Sequence, residues 1–191
     1  AGGDLPAGTF SSIAAGTVSG VSTLVATSES NTTAKSVNGG TTWTAGGDLP
    51  SSLNWESVTY GNSVFVAVGK GTGTTPSTSA AYSTNGGTSW VSANLPSAAW
   101  TGVAYGAGKF VAVATGTQTS AYSTSNGQIW LTAPVGLPST ATWSSIAFGN
   151  GRFVAIGGYG ADSTASAYSL DGITWYAGGT LPANQEWSTV R

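Results

Sequence analysis

Residues 100–113 read Trp100-Thr-Gly-Val-Ala-Tyr-Gly-Ala-Gly-Lys-Phe-Val-Ala-Val113. The opening aromatic starts a segment that alternates large apolar with small residues, the two-residue period of a half-buried strand. A glycine-rich turn follows, and then a run with no polar residue, as expected of a strand buried on both faces. The passage recurs as Trp55-Glu-Ser-Val58 before Val64-Phe-Val-Ala-Val68, and as Trp143-Ser-Ser-Ile146 before Phe153-Val-Ala-Ile156. Their turns are expected at Gly61-Asn62, Gly106-Ala-Gly108 and Gly149-Asn-Gly151. A weaker copy begins at Phe10-Ser-Ser-Ile13 and continues with Ser22-Thr-Leu-Val-Ala26, and a fragment of another stands at Trp187-Ser-Thr-Val190.

Outward from these strands the period is fixed by Leu-Pro dipeptides at Leu5, Leu49, Leu95, Leu137 and Leu181, each shortly before an opening aromatic. Each unit also has a third strand, Ala81-Tyr-Ser83, Ala121-Tyr-Ser123 or Ala167-Tyr-Ser169, with Ala34-Lys-Ser36 in the first, and a second turn leading to a late tryptophan. Four strands in a unit of about 44 residues is the pattern of a propeller blade. The expected fold is therefore all-β, a β-propeller of four-stranded blades in a single domain. Its repeats run over 7–50, 51–96, 97–138 and 139–182, and 183–191 start a further repeat. Four blades, or part of a five-bladed ring, satisfy the count. The spare Trp187 strand is expected to displace another, to pair with a second chain, or to belong to a further blade.

Composition agrees and narrows function. The 191 residues include 29 Gly and eight Trp, while only 6 % are charged, giving a formal net charge of −2. Five scattered Lys and Arg do not make the basic patch that phosphate neutralisation requires, so nucleic acid is not an expected partner. No apolar run approaches the roughly 20 residues that span a bilayer. Without Cys there are neither disulfides nor thiolate metal sites, and without His both Ser-His-Asp catalysis and His-ligated zinc are excluded.

The turn before each late tryptophan carries the strongest local signal: Ser36-Val-Asn38-Gly-Gly40-Thr-Thr-Trp43, Ser83-Thr-Asn85-Gly-Gly87-Thr-Ser-Trp90, Ser123-Thr-Ser125-Asn-Gly127-Gln-Ile-Trp130 and the shorter Ser169-Leu-Asp171-Gly172-Ile-Thr-Trp175. These resemble the Asp-box, the Ser-x-Asp-x-Gly-x-x-Trp hairpin of bacterial neuraminidase-type repeats. Asn38, Asn85 and Ser125 replace its Asp, and each can still cap the turn. The resemblance implies a structural staple remote from any active site. The wider pattern is similar to repeats in bacteriophage tail, fibre and capsid-surface proteins and in secreted bacterial surface proteins, which implies attachment or assembly on a virion or in the extracellular space.

Sialidases on this scaffold are similar in needing three arginines, and the chain holds only Arg152 and Arg191, so no catalytic residue is assigned. A two-carboxylate glycosidase would draw on Glu56 and Glu186, which flank opening aromatics; the simpler reading is edge charge. Tyr159 and Tyr176 are unrepeated aromatics suited to a sugar face, and with Glu56 and Glu186 they complete the candidate ligand-binding set. The stretches Gly71 to Ser79, Gly116 to Ser120 and Gly158 to Ser166 are the variable loops where a ligand would be read. Asp162 and Asp171 fall short of a calcium loop, so neither metal nor cofactor is expected. The expected role is a non-catalytic surface module binding a cell-surface glycan or receptor. The alternative is a subunit of a fibre, capsid decoration or filament that assembles with copies of itself or other virion proteins.

Overall fold

The structure is a computed structural model and describes residues 3–72, 75–158, 164–182 and 185–191. Tyr159 and Asp162 lie outside the described residues. The first blade contains β1 (Phe10–Val18), β2 (Val21–Ser28), β3 (Thr33–Ser36) and β4 (Thr44–Ala45). The second contains β5 (Asn54–Gly61), β6 (Val64–Thr72), β7 (Thr75–Ser83) and β8 (Val91–Ala98). The third has β9 (Trp100–Gly106), β10 (Lys109–Ala114), β11 (Ser120–Ser123) and β12 (Leu131–Thr132), and the fourth β13 (Trp143–Gly149), β14 (Arg152–Gly157), β15 (Ser166–Ser169) and β16 (Tyr176–Ala177). Each blade is an antiparallel meander in chain order. The blades pack in sequence through their first strands, β1 on β5, β5 on β9 and β9 on β13, which is a propeller arrangement.

The apolar second strands are apolar on both faces because each blade is sandwiched. In β6, Val66 and Val68 point into the core shared with blade 3, while Phe65 and Ala67 point into the core shared with blade 1. β10 repeats this: Phe110 and Ala112 face blade 2, and Val111 and Val113 face blade 4. The opening tryptophans Trp55, Trp100 and Trp143 are fully buried at these seams, and each indole N–H donates to a carbonyl four residues earlier, at Ser51, Pro96 and Ser139. Removing an aromatic of this size from water is worth roughly 1.5–3 kcal/mol, so one such residue per seam is a principal contributor to blade stacking.

Two expectations about turns change. The first hairpin of blade 2 turns at Asn62-Ser63, both with positive φ (46° and 64°), rather than at Gly61-Asn62. Two left-handed residues in succession make the type I′ turn that suits the twist of the flanking strands. Gly61 is instead the last residue of β5, and the ring of Tyr105 from blade 3 occupies the space where its side chain would stand. The expected variable loop from Gly71 is also partly strand in blade 2, where Gly71 pairs with Pro76 and Thr72 with Thr75. The Trp187 segment differs as well: residues 187–191 form no strand. They nonetheless lie where the next first strand would begin, with Trp187 N–H donating to the Gly158 carbonyl at 3.1 Å. A strand needs a hydrogen-bonded ladder, and no described strand pairs with residues 187–191.

Candidate functional site

The site grows from an irregularity repeated in every blade. Directly after the opening aromatic, the first strand slips by one residue against the second, between Phe10 and Ser12, Trp55 and Ser57, Trp100 and Gly102, and Trp143 and Ser145. A bulge leaves its extra residue unpaired and re-aims that side chain. The extra residues are Ser11, Glu56, Thr101 and Ser144.

Three of the four act alike. Ser11 donates to the Trp55 carbonyl (2.5 Å), Thr101 to the Trp143 carbonyl (2.7 Å) and Ser144 to the Trp187 carbonyl (2.7 Å), each reaching the opening residue of the next unit. The same hydroxyls lie 3.2–3.3 Å from carbonyls on their own second strands, at Thr27, Val113 and Ile156. A companion bond runs the other way: the amides of Val58, Val103 and Val190 donate to the hydroxyls of Ser12, Ser57 and Ser145 at 3.1–3.2 Å. The seams are thus clasped by hydroxyl-to-carbonyl bonds about one repeat apart in sequence.

Glu56 breaks the pattern. It occupies the bulge position of blade 2, where an ionised carboxylate can only accept hydrogen bonds. Its side chain is 31 % exposed and Oε1 lies 3.9 Å from Lys70 Nζ on β6. Burial pushes its carboxyl above the ordinary value; the Lys70 charge opposes this and the Glu29 charge adds to it. The carboxylate that Glu56 senses is therefore Glu29, one residue beyond β2; in the sequence Glu29 is one acid among seven, and Lys70 draws no notice.

The first strands line a half-open cavity of roughly 730 Å³, bordered by β1, β5, β9, β13 and residues 188–191. A second recess of roughly 310 Å³ gathers the bulge residues Ser11, Glu56, Thr101 and Ser144 with Ser188 and Lys70. Ser, Thr, one carboxylate and one ammonium converge there, and each clasp hydroxyl keeps acceptor capacity after donating its own proton.

The other sequence candidates lie elsewhere. Glu186 is exposed and lines neither cavity. Tyr176, 50 % exposed on β16, stacks on Tyr168 with centroids 5.5 Å apart, and Arg152 lies 5.6 Å from the Tyr168 ring centre. That cluster sits on the outer strands of blade 4, and the corresponding last-strand positions carry Thr44, Val91 and Leu131.

The serine-started turns are structural in their geometry. Asn38 Oδ1, Asn85 Oδ1 and Ser125 Oγ accept the amides of Thr42, Ser89 and Ile129 at 2.8–3.0 Å, and Asp171 Oδ1 accepts both Ile173 and Thr174 at 2.8 Å. Ser36, Ser83, Ser123 and Ser169 each accept the amide of the turn glycine, at Gly40, Gly87, Gly127 and Gly172. Trp130 and Trp175 are buried behind these turns, and Trp43 and Trp90 partly so.

No family model matches this chain, and no curated protein matches it. Among solved structures, the computationally designed Ika8 protein matches with a TM-score of 0.64 over 96 % of this chain at 11 % identity. The chain spans about half the length of that structure, 53 % of it. At that identity the likeness shows the fold alone, an all-β propeller architecture.

Proposed function

We propose that the protein is a non-catalytic binding module that takes a polyhydroxylated ligand, a cell-surface glycan, in the recess where the bulge residues converge, and so serves in attachment on a virion or extracellular structure. One observation carries the reading: Glu56 and Lys70 supply a charged acceptor and donor in a recess otherwise edged by Ser and Thr residues and Trp143. Sugar hydroxyls both donate and accept, and such a mixed lining answers them. The low charge and the Ser, Thr and Gly content support an extracellular setting by composition. The test is a glycan array of bacterial and host sugars. Concentration-dependent binding that weakens about tenfold in Lys70→Ala is expected, the loss of one charged hydrogen bond. No signal across the array would refute the glycan reading.

A second reading, a structural subunit that assembles with copies of itself or with other virion proteins, is favoured by the face of blade 1 turned away from blade 2. Ile13 there is 48 % exposed, whereas its counterparts Val58, Val103 and Ile146 are 4–7 % exposed. The oligomeric state in solution decides it.

A further inference from the structure

The seam between blades 2 and 3 lacks the bond found at the others. Ser11, Thr101 and Ser144 each donate to the carbonyl of the next opening tryptophan. Among the described residues, no side chain donates to the corresponding Trp100 carbonyl, and the residue in position to do so is Glu56. Only the companion bond, Val103 N–H to Ser57 Oγ at 3.2 Å, spans that seam in the same way. The Glu56–Lys70 separation of 3.9 Å exceeds a hydrogen bond, so the ammonium does not lock the carboxyl in place.

We propose that Glu56 is a proton-operated clasp between blades 2 and 3: its protonated carboxyl donates to the Trp100 carbonyl, as a serine or threonine hydroxyl does at the other seams, and its carboxylate releases that carbonyl. The bulge aims position 56 at the carbonyl, as it aims Ser11 and Thr101 at theirs. The glutamate is longer than serine by two atoms, so its chain must fold back on itself for a carboxyl oxygen to meet the Trp100 carbonyl. Only a proton makes the change, and no other group is exchanged.

The charges around Glu56 set where the clasp operates. Lys70 on β6 favours the carboxylate, and Glu29, one residue beyond β2, disfavours it. The groups facing it from β1, β9 and β13 in the recess are the uncharged Ser11, Thr101 and Ser144. Burial favours the neutral form, so the folded protein binds this proton more tightly than the unfolded chain. The bond's contribution to stability is therefore complete below the unfolded glutamate pKa and is lost as pH rises through the folded one. The clasp operates whether or not the recess takes a ligand.

The sequence holds three glutamates, Glu29, Glu56 and Glu186. In protein labelled with ¹³C at the glutamate carboxyls, the resonance missing in Glu56→Gln should titrate above the ordinary glutamate value. Thermal unfolding followed against pH for the wild type, Glu56→Gln and Glu56→Ser gives the second readout. Relative to either variant, the wild type should lose about 2–4 °C in Tm as pH rises through the Glu56 titration, the shift expected for one hydrogen bond in a domain of this size. Both variants carry a permanent donor, so the dependence they share with the wild type comes from other groups and cancels. If Glu56→Ser does not fold, Glu56→Gln and the wild-type titration still decide. A Glu56 resonance that titrates at or below the ordinary glutamate value, or Tm curves that run parallel in all three proteins, would overturn the proposal.

Discussion

Adding a methyl group at Gly127 separates two costs that the repeat otherwise combines. Gly127 has φ of 79°, and a Cβ there would stand 2.6 Å from Cγ2 of Val66, a side chain of blade 2 that is fully buried. The left-handed conformation costs a non-glycine residue about 1–2 kcal/mol. Forcing an atom into a packed interface adds about 1–3 kcal/mol, because Val66 is hemmed in on its other sides and cannot simply turn away. Gly127→Ala should therefore destabilise by about 2–5 kcal/mol. Gly108 provides the control: its φ is 76°, yet a Cβ there meets nothing within 4 Å. Gly108→Ala should cost only the conformational part. Urea unfolding of both variants, compared at constant m-value, measures the difference. Equal losses would refute the claim that the turn of one blade seats against the valine face of the preceding one.

Asp171 provides a pH prediction of opposite sign to Glu56. Burial raises its carboxyl pKa, but the Thr174 and Ile173 amides, the Ser169 hydroxyl and the Lys109 charge outweigh this and leave it below the ordinary value. Its contribution is present above the unfolded aspartate pKa and disappears as pH falls through the folded one, below about pH 4. Asp171→Asn, which installs the residue that blades 1 and 2 use, should change stability by under about 0.5 kcal/mol at pH 7 and flatten the acid limb of a Tm–pH curve; an unchanged acid limb would count against the assignment. For assembly, light scattering should give a mass that rises with concentration and falls back to that of a single chain in Ile13→Thr, and a concentration-independent monomer would remove the structural-subunit reading.

Much of the architecture was legible because packing imposes a period. A blade sandwiched between two others needs its second strand apolar on both faces, and Phe-Val-Ala-Val meets that need wherever it occurs. Gly61 misled for a physical reason, since glycine serves both tight turns and close packing, and only the position of Tyr105 tells the two apart. The clasp was written in the sequence as Ser11, Thr101 and Ser144, each following the opening aromatic. Without the bulge those residues read as the outward face of an alternating strand. Glu56 attracted notice as a carboxylate, but its meaning lies in what its equivalents donate to. Glu29 counted only as one acid among seven and Lys70 drew no notice, because their relation to Glu56 runs across strands and a loop.

The clasps also bear on how the chain reaches its native order. Within a blade, neighbouring strands are joined by short turns and form from local contacts, whereas the seam bonds join residues 42 to 46 apart. Local meanders therefore form first and dock afterwards. Because the bulge hydroxyls at positions 11, 101 and 144 offer nearly the same partner, docking chemistry alone hardly distinguishes one neighbour from the next. A blade that skips its neighbour would find a serviceable but wrong surface, a kinetic trap typical of tandem arrays. Glu56 gives the seam between blades 2 and 3 a chemistry unlike the others, a landmark by which two otherwise similar docking surfaces differ.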